Sequence, residues 1–117
     1  MNKIKRKLNL EKKKTDLFEE LTGKVYEINN DHKTFLMVQE LLKQEGTDEE
    51  KEENNTKALY LIIGEENWKE INEKIMSMPN YAENITIAQI EIFSSCYNVP
   101  FEEMADRFQK SQEKSKW

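Results

Sequence analysis

The chain has 117 residues, 37% of them apolar and 35% charged, which allows one domain with a thin core and long solvated faces. A net charge of −5 works against nonspecific attraction to a polyanion. The single cysteine, Cys96, excludes an internal disulfide and fits a reducing cytoplasm.

No run of about 18 apolar residues exists, so no membrane-spanning helix is expected. The basic N-terminus lacks the apolar stretch of a secretory signal. Glu, Lys, Leu and Ile are abundant, while Gly (3) and Pro (2) are scarce, so a mainly α chain is expected.

Residues 1–14 carry Lys3, Lys5, Arg6, Lys7, Lys12, Lys13 and Lys14 against Glu11 alone. Ile4, Leu8 and Leu10 share one parity there, which suggests a basic arm or an edge strand over 4–10. Thr15 or Asp16 can cap a short helix that runs through Leu21 and closes at Gly23. Lys24-Val25-Tyr26-Glu27-Ile28 is β-branched and aromatic between turn residues, and could pair with 4–10 in a hairpin. Two strands alone are marginal and need a helix to pack on.

A helix over 32–45 follows, capped by Asn30 or Asp31, with Phe35, Val38, Leu41 and Leu42 at helical spacing and Gly46 as its stop. Residues 47–55 hold Asp48, Glu49, Glu50, Glu52 and Glu53 against Lys51, and read as a solvated mobile loop. A helix over 56–63 presents Leu59, Ile62 and Ile63 and breaks at Gly64. The next, over 65–77, carries Trp68, Ile71 and Ile75 and stops at Met78-Pro79-Asn80. A helix over 84–97 is apolar on most sides, as in the middle of a bundle or at an interface. The last, over 100–112, carries Phe101, Met104, Ala105 and Phe108 at i, i+3, i+4 and i+7, and a polar tail over 110–117 ends in Trp117. The expected architecture is a single-domain bundle of about five helices, with a short N-terminal β-hairpin as an addition.

Reactive constellations are hard to draw. His32 is the only histidine, so one chain cannot assemble a metal site of the usual His/Cys kind. Cys96 lies on the apolar 84–97 helix, where a thiol acts as a small hydrophobe. Glu65-Glu66 and Glu102-Glu103 sit in first turns of helices, where negative charge favours the dipole. The glycines Gly23, Gly46 and Gly64 form no phosphate-binding loop. The expectation is a non-enzymatic protein with no cofactor, metal or catalytic residue.

Residues 87–109 read as helix, short turn at Tyr97-Asn98-Val99-Pro100, then helix. That resembles a helix-turn-helix and gives the alternative reading of a small DNA-binding regulator. The second helix opens with Glu102, Glu103 and Asp106, the wrong sign for facing phosphates, so nucleic acid is a disfavoured partner.

The apolar inventory exceeds what short amphipathic helices need privately. Trp68, Tyr81, Met76, Met78, Met104, Phe108 and Trp117 are candidates for contact with another protein. Trp68, Ile71, Ile75, Met104 and Phe108 are the expected core-or-contact, protein-binding positions.

Three stretches resemble phage tail assembly chaperones of siphophages and prophages of Gram-positive bacteria. They are Gly23-Lys24-Val25-Tyr26-Glu27-Ile28 with the helix that follows, Ala58-Leu59-Tyr60-Leu61-Ile62-Ile63-Gly64-Glu65-Glu66, and Ile92-Phe93 with Pro100-Phe101-Glu102-Glu103-Met104-Ala105-Asp106-Arg107-Phe108-Gln109. Together they span roughly residues 15–110. The resemblance implies a mostly helical chaperone that binds and solubilises the tape measure protein during tail assembly. It also implies self-association into a homo-oligomer, residence in the bacterial host cytoplasm and absence from the mature virion. Relatives of this kind are often also made as a longer frameshifted product that recruits the tube protein, and no such second domain is expected in these residues. The basic arm meeting the acidic 48–53 segment of another copy would make self-association salt-sensitive.

Overall fold

The computed structural model describes the backbone of residues 8–115 and the side chains of residues 8–110. Within them the protein is mainly helical, with one short antiparallel hairpin. In chain order the elements are β1 (Lys13–Thr15), α1 (Glu19–Thr22), β2 (Tyr26–Ile28), α2 (His32–Lys43), α3 (Asp48–Ile63), α4 (Glu65–Met76), α5 (Tyr81–Tyr97) and α6 (Phe101–Ser115).

The hairpin pairs Lys13 with Ile28, Lys14 with Glu27 and Thr15 with Tyr26. Its inner face is Thr15, Tyr26 and Ile28, all buried. The expected partner strand over 4–10 is therefore displaced. Leu8 and Leu10 are exposed and outside any strand, and residues 4–7 lie outside the described residues. Packing onto helices selects the register: both strands lie on α5, and β2 also lies on α3. Asn29 secures the end of β2, donating from its backbone to Ile62 O (2.8 Å) and from its side chain to Leu61 O (3.0 Å). These bonds use carbonyls that the end of α3 leaves unpaired. The α1 turn closes as expected at Gly23, in the left-handed region at φ 75°.

The largest departure from expectation is at 47–55. Instead of a loop, these residues hold the cap and first two turns of α3. Thr47 Oγ1 accepts from Glu50 N (3.1 Å) while Glu50 Oε1 accepts from Thr47 N (3.2 Å), a reciprocal capping box. Asp48, Glu49 and Glu50 then occupy the first turn, where the helix dipole favours negative charge. A charge run that reads as solvated is solvated, but as a helix. Ahead of it α2 ends at Lys43, with Gln44 as its cap, so Gly46 does not close it.

Gly64 joins α3 directly to α4. Its φ of 100° lies where side chains with a Cβ are strained. Two asparagines in the left-handed region, Asn80 and Asn98, mark the ends of α5. Pro100 O accepts from Glu103 N and Met104 N, opening α6. That helix runs to Ser115, so residues 110–115 continue it rather than form a tail, and Trp117 lies outside the described residues.

The apolar α5 is the hub. It packs against α3, α4, α6 and both strands, and buries Ala88, Ile90, Ile92, Phe93 and Cys96. Phe93, Ile28, Leu59, Ile62, Ile71, Ile92 and Val38 are fully buried around it. By contrast α2 packs chiefly on α3, with Phe35 set edge-on against Tyr97 at 4.9 Å. That leaves Leu36 and Met37 half exposed on its outer side.

Candidate functional site

Of the five positions expected to serve as core or contact, four are core. Trp68, Ile71 and Ile75 of α4 and Met104 of α6 are buried inside this chain. Phe108 is half-buried, its ring 5.7 Å from that of Phe93. The i, i+3, i+7 stripe of α4 is thus the side that α4 turns inward. Met76 (64% exposed) and Met78 are open to solvent, as is Tyr81.

Trp68 and Phe108 also border a surface groove of about 680 Å³. Its apolar floor combines Leu41 of α2, Trp68 of α4, Ile85 and Tyr97 of α5, and Phe108 of α6, with Leu42 and Tyr81 at the edges. One wall is the first half of α3, presenting Asp48, Lys51, Glu52 and Asn55. Gln89 of α5 and Arg107 of α6 also line the groove. Leu41 comes from α2 and Ile85 and Tyr97 from opposite ends of α5, and no helical spacing in the sequence links them. The only sequence signal was that the α2 and α5 stripes are longer than one packing partner requires.

Every buried side-chain nitrogen or oxygen among the described residues has a hydrogen-bond partner. Burial raises the pKa of the Tyr97 phenol at the floor and keeps it neutral. Behind the floor, burial pushes the Cys96 thiol up to about 11, with the Asp31 charge adding to it, so the group is a neutral apolar filler rather than a nucleophile. His32 sits exposed in the first turn of α2. Among the described residues no cluster of His, Cys, Asp and Glu could hold a metal, and no helix is long and apolar enough to cross a membrane.

A polar latch lies away from the groove. The Tyr26 hydroxyl donates to Glu70 Oε1 (2.6 Å) and lies 2.8 Å from Thr22 Oγ1, while Lys24 Nζ reaches both Glu70 oxygens at 3.1 and 2.9 Å. The Tyr26 hydrogen bond, then that of Lys24, holds the Glu70 carboxyl below the usual carboxylate range. The latch fastens the hairpin to α4 and leaves its carboxylate fully engaged. It is a structural clasp.

The α5–α6 pair has the helix-turn-helix order over residues 87–109, but α6 turns acid outward. Glu102, Glu103 and Asp106 are exposed, and the nearby cations are held by them: Arg107 by Glu103 at 3.6 Å and Lys110 by Asp106 at 3.1 Å. In the N-terminal segment Lys12 pairs with Glu27 at 3.8 Å and Lys13 Nζ donates to Asn98 Oδ1 at 2.9 Å.

No protein family, curated protein or solved structure matches this chain.

Proposed function

We propose that this protein is a non-enzymatic phage tail assembly chaperone that keeps the tape measure protein soluble in the bacterial host cytoplasm until the tail tube encloses it, and that it is not retained in the mature virion. The observation that carries this reading is the groove: an apolar floor drawn from four helices and rimmed by charge. A tape measure protein is long and helical, and its apolar stripes need cover before assembly. A preformed groove covers such a stripe by helix-in-groove packing. Many copies on one target, or a homo-oligomer, would add avidity without new kinds of contact. The sequence resemblance over roughly residues 15–110 points the same way.

Co-expression with the cognate tape measure protein tests the proposal. The tape measure protein should stay in the soluble fraction and co-purify with this chain. If it precipitates equally with and without the chaperone, the proposal fails.

The alternative, DNA binding through residues 87–109, draws less support, because the exposed side of α6 would set Glu102, Glu103 and Asp106 against phosphates. A gel shift of duplex DNA at low salt would restore it.

A further inference from the structure

We infer that the groove takes a single amphipathic α-helix whose apolar stripe is flanked, on the side facing α3, by lysine or arginine. This rests on the chaperone reading for its biological partner, but its chemistry follows from the groove itself.

The occupant is a helix because the groove offers an extended peptide nothing to pair with. Apart from Gln44, the cap of α2, its lining is helical, and neither strand of the described residues, β1 or β2, borders it. An extended peptide would leave its backbone groups unpaired over the apolar floor, whereas a helix satisfies its own. The floor residues Leu41, Trp68, Ile85, Tyr97 and Phe108 ask for an apolar stripe of i, i+3, i+4, i+7 type.

The basic flank follows from the charge on the α3 wall. Asp48 and Glu52, one turn apart, face the groove, and Glu49 and Glu53 lie on the adjoining side of the same helix. Lys51 lies among them and Lys57 lines the adjoining side, so acid still outnumbers base on this stretch. Among the described residues, none of these four carboxylates has an ion-pair partner. Glu50 is occupied by the capping box. The positive end of the α3 dipole, about half a charge, offsets only part of the remainder. On the α6 side Arg107, which also lines the groove, pairs with Glu103 at 3.6 Å. The wall is therefore net negative, with carboxylates that form no ion pair among the described residues, a surface on which lysine or arginine gains and glutamate or aspartate loses.

The test uses two synthetic helical peptides of about five turns (roughly 18 residues). Both carry leucines at i, i+3, i+4 and i+7; one has lysines on its flanks and the other glutamates. Binding to the full chain is read by fluorescence anisotropy of the labelled peptides at low and high salt. The lysine peptide should bind at least about tenfold more tightly at low salt, and the margin should shrink in high salt. The double variant D48K/E52K should reverse the preference, and D48N/E52Q should abolish it. Both variants alter exposed positions, and circular dichroism checks that they fold.

Equal binding of the two peptides, binding of neither, or a preference that the double variant leaves in place overturns the inference. So does a concentration-dependent dimer that D48K/E52K dissolves and the lysine peptide cannot displace, since the groove would then belong to a second copy. The two readings fail separately. If wild type and D48K/E52K solubilise the tape measure protein equally, the basic-flank inference falls and the chaperone reading stands. If neither solubilises it while the lysine peptide still binds, the chaperone reading falls and the inference stands.

Discussion

The acidic wall of the groove depends on one cap, and Thr47→Ala removes it. Thr47 Oγ1 accepts the Glu50 amide at 3.1 Å, and alanine leaves that first-turn donor without its side-chain partner. The cost is about 1 kcal/mol, the usual loss for replacing a threonine cap by alanine. Nothing nearby makes up for it. Side chains 48–53 are all exposed, Asn54, Asn55 and Thr56 are half-buried, and full burial begins at Ala58 and Leu59. The first two turns of α3 therefore rest on the cap, the first-turn acids and helix propensity. A loss of 1 kcal/mol is about a fivefold change in an opening equilibrium, so the amides of residues 51–55 should exchange about fivefold faster in native-state hydrogen exchange. Urea denaturation should show a stability loss of at most about 1 kcal/mol with an unchanged slope. Thr47→Ser keeps the acceptor and should stay close to wild type. If residues 51–55 exchange at unprotected rates in both wild type and variant, and stability is unaltered, the segment is not a capped helix and the wall argument collapses with it.

Three further outcomes follow from the core and the buried groups. Ile71→Ala, at a fully buried position on α4, should cost about 2–5 kcal/mol in urea denaturation, a large part of a domain's usual margin. Because the folded-state pKa of Glu70 lies below its ordinary 4.5, the clasp contributes stability above that value and loses it as pH falls through the lowered folded value. Melting followed from pH 6 to 3 should therefore fall less steeply in Glu70→Gln than in wild type, and identical slopes would argue against the clasp. With the Cys96 thiol at about 11 against an ordinary 9.0, the thiolate fraction at pH 8 is about a hundredfold lower than in the unfolded chain. Labelling by a thiol reagent should then track unfolding, rising steeply with urea; rapid labelling of the native protein would contradict the burial.

The comparison of sequence with structure is most instructive at three places. In α5 the run Ile85, Ile87, Ala88, Ile90, Ile92, Phe93 and Cys96 leaves few polar sides, so a central position was legible, and the helix is the hub. In α4 the stripe Trp68, Ile71 and Ile75 was legible as one side of a helix, but not as inward or outward facing. Periodicity reports a shared side and is silent about what covers it. At 47–55 the charge run concealed a helix, because solvation and disorder leave the same compositional trace. The Thr47-x-x-Glu50 capping box was the local signal that separated them.

The sequence by itself determined the helical class, the hairpin's second strand, the breaks at Gly23, Gly64 and Pro79, and the absence of a His/Cys metal set within one chain. These follow from propensity, backbone sterics and residue counts, which act over a few neighbours. Tertiary packing alone decided which residues pair with β2, which stripe is core and where the groove lies. Leu41, Trp68, Ile85, Tyr97 and Phe108 become one floor only when α2, α4, α5 and α6 come together in the folded chain, and no spacing along the chain encodes that convergence.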